Sequence, residues 1–395
     1  MRVHYLISII KKLIIIIFII FILLSCKSMI ERAAEETKES EIIRVWLRMD
    51  DKLKIYLNNH IIVENGLTGE KIEYKWNVKN INIDLTSDNV FLDGNPLVYP
   101  LNIYSIDERL IKINDKKFFG NIKIDPLSDC KIINYVPLET YLMSVIPSEV
   151  PLSFDVEAIK AQAIVARTYA YRFIKKNSKR YDYDVDNTTR YQAYNGYTFF
   201  MNPYIVKKLK DAVNDTKGKI IVYKNEPILA YFHSNSGGKI RSGGEYFGAH
   251  SDLPYLISQD DPFSLDYPGG KWEYKMSIDG FKKSLNINTD LTSDQFIYDD
   301  NGFIEKIKIS DDFYYPKDIR KNIGYKLIRS ERFSIELLSD DKKIKFSGIG
   351  FGHGVGMSPW GPQGMADKGF DYMQIISFYF PNTSIINILN ENKDF

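Results

Sequence analysis

The 395-residue sequence predicts an α+β chain: a β-rich amino-terminal part, then a mixed region built around a long helix. Three observations predict it. From Ile42 to Asp125, short alternating apolar runs are separated by turn residues, the pattern of half-buried strands. From Val136 to Lys176 the apolar spacing changes to that of helices. Near the end, Gly348 to Met357 carries glycine at every second residue, which in a strand leaves one face bare.

The strand runs are Val45 to Leu47, Leu53 to Leu57, Ile61 to Val63, Ile72 to Trp76, Ile81 to Leu85, Leu110 to Ile113 and Asn121 to Ile124. Asn65-Gly66, Asp93-Gly94 and Phe119-Gly120 punctuate them as turns. Residues 42–130 are therefore expected to form a β-rich domain, and residues 131–395 a second domain.

Leu138, Leu142 and Val145 follow Pro137 at i, i+4 and i+7, the spacing of a short helix with proline at its start. Pro147 and Pro151 bias Ile146 and Val150 towards extended backbone, so the helix is expected to stop there. Ile146 to Leu152 then becomes a stiff connector with Glu149 at its centre. Ser153 is the expected N-cap of a longer helix whose buried stripe is Val156, Ile159, Ala163, Ala166, Ala170 and Phe173. Lys160, Ile164, Arg167 and Tyr171 line up on a neighbouring stripe. A carboxylate between two prolines, beside a helix carrying a lysine and an arginine two turns apart, has the layout of an acid/base site. The same pattern also fits a solvated loop glutamate and two surface cations.

After this helix, Tyr181, Tyr183, Tyr191, Tyr194 and Tyr197 lie among Asp, Asn, Thr and Gly, a composition suited either to stacking on sugars or to a half-buried core. Ile220 to Val222 and Ile228 to Phe232 read as a hairpin around Asn225, Glu226 and Pro227, running into His233 to Gly238, HSNSGG. Trp272 to Phe281 and Gly302 to Ile309 read as strands, with a helix cap at Thr292 or Ser293 in the polar stretch between them. The bare face of the glycine strand allows close approach of either a glycan or another chain segment. It lacks the strand-to-helix setting of a dinucleotide loop and the Gly-Lys-Ser/Thr of a phosphate loop.

Met1 to Ser25 carries Arg2, Lys11 and Lys12, then an unbroken apolar run from Leu13 to Leu24, too short for a bilayer span but suited to a secretory signal. Counting Leu6 to Ile10 across the two lysines leaves an uncleaved anchor as the alternative. Removing that segment takes the formal charge from +1 to −2, and a near-neutral chain is not the profile of a nucleic-acid binder. Cys26 and Cys130 are the two cysteines, so the fold is not expected to rest on disulfides. Lys27 to Glu41 reads as a tether.

The run PLETYLMSVIPSEVPLSFDVEAIKAQAIVARTYAY, from Pro137 to Tyr171, resembles the signature of the stage II sporulation protein D family, peptidoglycan lytic transglycosylases and their relatives. INDKKFFGNIKI from Ile113, TRYQAYNG from Thr189 and SPWGPQGMADKGFDYMQIISFYFPNT from Ser358 resemble further segments of the family, in the same order. Pro359 and Pro362 replace a glutamine and an alanine usual there, which puts contacts made by those two side chains in doubt.

The resemblance implies Glu149 as the catalytic acid and a glycan groove bordered by the long helix. It places Lys160, Arg167, Gln192 and Tyr194 in that groove, with His233, Ser234 and Ser236 of the HSNSGG segment and His353 and Ser358 of the closing region. Some members are described as holding zinc near the HSNSGG position. This chain has no cysteine near His233, and His233 with His353 would not complete a tetrahedral set, so no metal or cofactor is expected.

Leu23-Leu24-Ser25-Cys26 resembles a lipoprotein signal, which implies lipidation at Cys26, export, and a membrane-anchored protein facing the periplasm or cell envelope. The implied reaction is non-hydrolytic cleavage of the MurNAc–GlcNAc bond of glycan strands lacking stem peptides, leaving a 1,6-anhydro ring. The family's cell-wall amidase enhancers supply the alternative, a non-catalytic glycan binder with an amidase as partner. A structural lipoprotein with a decayed site and a hydrolytic muramidase are further alternatives.

Overall fold

The computed structural model describes residues 41–49, 51–57, 61–74, 79–86, 89–105, 110–127, 130–197, 202–338 and 342–391. The expected signal, the lipidation at Cys26 and nearly all of the tether fall outside these residues.

Two antiparallel-rich sheets make the amino-terminal half. Among the described residues, one sheet has seven strands in the order Val185–Asp186, Ile42–Trp46, Lys131–Pro137, Asn121–Asp125, Leu101–Ser105, Ile61–Asn65 and Lys71–Tyr74. The other has six, with Lys52–Leu57 and Lys79–Leu85 at its centre. Alternate residues point inwards as the patterning requires: Val45, Ile55, Ile83, Ile103, Ile113 and Ile122 are buried in one shared core. Asp93 and Gly94 both adopt positive φ, 48° and 81°, the geometry a two-residue hairpin turn asks of an Asp-Gly pair.

The boundary expected at 130/131 falls inside the seven-stranded sheet. Lys131–Pro137 pairs antiparallel with Asn121–Asp125, and Val185 pairs parallel with Val45 beyond the long helix. The same core continues into that helix and the one before it, so sheet and helices are packed as one body.

The first helix, α1, spans Leu138–Glu149 and the second, α2, spans Val156–Asn177. α1 does not stop at Pro147. That residue withholds one backbone donor, but the Val150 N–H reaches Ile146 O at 2.9 Å and closes the turn that carries Glu149. The stop comes at Pro151, which holds Val150 extended at φ −135°, ψ 147°. The cap of α2 is Asp155 instead of Ser153, its side chain accepting the Glu157 N–H at 2.8 Å.

α2 is buried on more than one stripe. Ile159, Ala163, Ala166 and Ala170 face the β-sheet core, while Ala161, Ile164, Val165 and Tyr169 face a second core with Ile221, Val355, Met357 and Ile376. A helix wrapped on both sides has little surface left for polar groups. The third helix, α3, covers Pro203–Asp215 and packs on both α1 and α2.

The carboxy-terminal half departs from the expected strands. The hairpin turn at Lys224-Asn225 forms, both residues at positive φ, but its second strand is short, Glu226–Pro227. Lys271–Ser277 ends in a helix, Ile278–Leu285, where Ser277 caps the Gly280 N–H. Thr292 forms the expected cap. Lys271–Ser277, Lys343–Ile349 and Phe333–Leu338 form a sheet with its own apolar core of Trp272, Phe281, Ile307, Phe333 and Phe346, a separate lobe.

Gly348 to Met357 is not one extended strand. Lys343–Ile349 ends the regular ladder, and Gly350, Gly352, Gly354 and Gly356 all take positive φ. The close approach expected of the bare glycines is made by the chain itself. A Cβ on Gly356 would lie 2.1 Å from Tyr231 O, and one on Gly237 would lie 2.4 Å from Gly350 N.

Candidate functional site

Glu149 is half-buried at the carboxyl end of α1, among Val145, Ile146 and Val150. Its Oε1 accepts the Ala193 N–H at 3.0 Å, and among the described residues it makes no ion pair. Burial raises the carboxyl above its ordinary value, with the Ala193 hydrogen bond a smaller opposing effect. A carboxyl held this way favours its protonated form, the condition a general acid needs.

The segment after the long helix is fastened along α1 by its polar groups. Ser144 Oγ donates to Gly196 O at 2.6 Å, and Tyr141 OH donates to Gln192 Oε1 at 3.2 Å. Gln192 Nε2 donates to Ala166 O at 3.3 Å. Tyr194 OH donates to Asn134 Oδ1 at 2.7 Å, and its ring stacks on Tyr141 with centroids 5.0 Å apart. Gln192 and Tyr194 are thus interior residues, not groove residues. Pointing inwards on either side of Ala193, they leave its N–H aimed at Glu149.

Lys160 and Arg167 are also engaged. Lys160 bridges Glu157 at 3.1 Å and Asp215 at 3.2 Å. Arg167 is fully buried, its Nε and Nη2 forking onto both oxygens of Glu139 at 2.9 and 2.6 Å. Its remaining donors reach Lys219 O at 3.2 Å and Val213 O at 3.3 Å. The expected groove role for Arg167 is corrected: it ties α2 to α1 and to the strand start at Lys219, out of reach of a glycan. At Ile164 and Arg167 the stripe is buried, with α3 and that strand packed on the helix.

The HSNSGG loop lies against the glycine-rich segment. His233 is buried, its Nδ1 3.1 Å from Val355 O, and Ser236 is buried with Oγ donating to Asp261 Oδ2 at 2.7 Å. Ser358 is fully buried, its Oγ accepting the Ser236 N–H at 3.1 Å. These three brace the loop from inside, so their expected contact with substrate is corrected as well. Ser234 and His353 are half-buried at the surface. His353 Nδ1 accepts the Val355 N–H at 3.1 Å, and Nε2 lies 2.9 Å from Phe232 O, an arrangement suited to the neutral ring protonated at Nε2. Burial lowers its pKa to about 4, and burial together with the neighbouring His353 lowers that of His233 well below the ordinary imidazole value. Both rings are neutral at pH 7. Their centroids are 5.4 Å apart, and among the described residues no group of three or more His, Cys, Asp or Glu side chains could hold a metal ion.

Beyond Tyr191, whose setting the sequence marked as suited to stacking on sugars, the structure assembles a row of rings that are half-buried except for Tyr169, which is buried. Tyr191, two residues before Ala193, meets Phe173 edge-on at 5.0 Å, and Phe173 meets Tyr169 at 5.0 Å. Tyr169 leads to Tyr231 at 6.4 Å, and Tyr231 stacks on Phe247 at 4.6 Å beside His353 and Tyr246. Burial is the main cause that disfavours ionisation of Tyr169, and the neighbouring acidic groups, Glu149 the smallest among them, add to it. The row runs from the neighbourhood of the carboxyl to the HSNSGG loop, and aromatic faces beside polar edges suit sugar rings. The signal lay in Tyr231, Tyr246 and Phe247 around the histidine, too scattered in sequence to read as one surface.

Pro359 and Pro362 fit the helix Trp360–Ala366, at its N-cap and in its first turn, where proline is tolerated. Gln363 in that helix accepts the Asp155 N–H at 2.7 Å and so ties the closing segment to the cap of α2.

Residues 127–223, which include Glu149, Lys160, Arg167, Gln192 and Tyr194, match the family described as Stage II sporulation protein. An uncharacterised protein of Brachyspira hyodysenteriae is 31% identical over 374 residues, covering 85% of this chain and 96% of that protein. Stage II sporulation protein D of Bacillus subtilis is 32% identical over 265 residues, covering 64% of this chain and 75% of its own length. A Bacillus subtilis protein named Amidase enhancer is 27% identical over 383 residues, covering 82% of this chain and 52% of that protein.

Proposed function

The chain belongs to the stage II sporulation protein D family, and on that premise we propose that it cleaves peptidoglycan glycan strands as a lytic transglycosylase with Glu149 as acid and base. The observation that carries this reading is the state of Glu149: half-buried, raised in pKa, unpaired by any described cation, and held by one backbone donor. Protonated Glu149 gives its proton to the glycosidic oxygen as the bond from MurNAc C1 breaks. The carboxylate then takes the proton of the C6 hydroxyl as O6 bonds to C1, which closes the 1,6-anhydro ring and restores the acid. No water and no second carboxylate enter this sequence, and the Glu149 shift shows no contribution from another charged group.

In this reading Ser234, His353 and the rings of Tyr191, Tyr231 and Phe247 contact the strand, and strands without stem peptides are the substrate. Lys160, Arg167, Gln192 and Tyr194 hold the frame. The protein works outside the cytoplasm, tethered through Cys26; mass spectrometry of the purified chain that finds Cys26 without an acyl group would overturn the lipid tether.

The test is mass spectrometry of soluble products after the full-length chain, purified in detergent, is incubated with peptide-stripped strands. Anhydro-muramic products from wild type and none from Glu149→Gln are expected. Reducing-end products would make the enzyme a hydrolase.

The similarity to a protein named Amidase enhancer favours a second reading, in which the row of rings captures glycan for a cell-wall amidase. Stimulation of a purified amidase by Glu149→Gln as strongly as by wild type, with no product from either alone, would select it.

A further inference from the structure

The lobe formed by Lys271 to Ile349 meets the HSNSGG loop across a cavity of about 810 Å³. Gly237, Gly238 and Lys239 line one side, and Phe303, Tyr315, Lys317 and Arg332 the other.

The charges facing it do not cancel. Of the four acids on the wall two are paired with cations and two accept backbone N–H groups while keeping their charge, against five cations. Glu331 pairs with Arg241 at 2.9 Å, and Glu305 pairs with Lys306 at 3.0 Å. Glu245 accepts the Ser242 N–H at 2.8 Å in a helix cap, and Asp299 Oδ1 accepts the Asn301 and Phe303 N–H groups, each at 2.9 Å. Lys239, Lys271, Lys317 and Arg332, by contrast, make no ion pair with any described residue.

Arg332 is the sharpest case. It is half-buried, one Nη2 N–H donates to Ser236 O, and its other side-chain donors have no partner among the described residues. Burial and the nearby Arg241 lower its pKa to about 10, so it stays charged at neutral pH without a counter-ion. Its remaining donors are open to the solvent of the cavity, and the planar fork of a guanidinium matches a carboxylate. In the same cavity Tyr315 keeps half its surface exposed, a flat apolar platform of the kind that sugar rings stack on.

We propose that this cavity is a second glycan site selective for sugars that carry a carboxylate, with Arg332, Lys239 and Lys317 taking the acid group and Tyr315 the apolar face of the ring. The inference rests on the cell-wall reading above and adds to it a site separate from Glu149. The shared chemistry is a carboxylate on a cell-wall sugar chain, either the lactyl group of a muramyl residue or the acid of a stem peptide.

The experiment is calorimetric titration of the full-length chain in detergent with three probes: peptide-stripped strands, neutral oligomers of N-acetylglucosamine, and isolated stem peptides. The variants are K239E/K317E, both residues exposed, and R332Q, each checked by thermal melting. Wild type is expected to bind stripped strands in a salt-sensitive manner. Both variants should bind them at least about tenfold more weakly, the scale of losing one contact to a charged group, with neutral oligomers unaffected. The same loss with stem peptides and none with stripped strands would assign the acid to the peptide. A folded K239E/K317E chain that binds both acidic probes as tightly as wild type overturns this site while leaving the Glu149 reading intact. Wild type that binds no probe at all overturns both.

Discussion

Glu139 and Glu149 stand at opposite ends of α1, and the protein treats them in opposite ways. Glu139 lies in the first turn, where the helix dipole favours a negative charge. Its oxygens receive the Arg167 fork and the Gly218 N–H at 3.1 Å. Glu149 is the last helical residue, where the dipole opposes the same charge, and it receives one N–H from Ala193. A carboxylate with its lone pairs filled by an arginine is a joint. One that is desolvated and half-satisfied is poised to keep a proton, and chemistry needs the second kind.

The largest effect should separate the two directly. Glu149→Gln keeps the shape of the side chain and removes the transferable proton, so anhydro-muramic product formation should fall by roughly 10² to 10⁴-fold, with the chain still folded. Product formation within a few-fold of wild type would remove Glu149 from the chemistry. At the other end, Arg167→Met leaves the half-buried Glu139 with the Gly218 N–H as its remaining partner, and the loss should approach the roughly 3–5 kcal/mol of breaking a buried pair without reaching its upper end. Denaturant melts should show that loss, and Glu139→Leu in the same chain should recover much of it. A melt unchanged by Arg167→Met would mean the fork carries no structural load.

What the sequence revealed divides along the same line. The apolar residues around Glu149 are adjacent to it in the chain: Val145 is buried as its helical spacing implies, and Ile146 and Val150 are buried with it. The Asp93-Gly94 turn and the Thr292 cap are equally local. Arg167 was misread because its partner is 28 residues away on another helix, and nothing in an arginine's identity says whether solvent or a carboxylate will face it. Gln192 and Tyr194 were misread for the same reason: their partners Tyr141 and Asn134 lie 51 and 60 residues back, and polar side chains look alike whether they point in or out. The glycine run misled differently. A period of two fits an extended strand, and it fits equally a chain that takes positive φ at every second residue.

The contrast also predicts a pH dependence. Glu149 has a folded-state pKa above its unfolded value, so its contribution to stability is fully present below the ordinary carboxyl range and is lost as pH rises through the raised value. Glu149→Gln, which cannot ionise, escapes that loss. Its melting temperature relative to wild type should therefore rise between acid and neutral pH. Product formation by wild type should decline on the alkaline side of the same transition as the general acid loses its proton. A difference in melting temperature that stays flat across this range would contradict the raised pKa.

The smallest effect tests how firmly Ala193 is held. Tyr194→Phe removes the hydroxyl that donates to Asn134 Oδ1 at 2.7 Å and leaves the ring stacked on Tyr141. The loss should be about 1 kcal/mol in stability, the worth of one buried hydrogen bond. Because Ala193 donates to Glu149 from the residue just before Tyr194, any loosening weakens the one contact that favours the carboxylate. The alkaline limb of the activity profile should then shift to higher pH than in wild type. A stability loss with the limb unmoved would show that Gln192, bonded to Tyr141 and Ala166 on the other side, is sufficient to hold the Ala193 N–H in place.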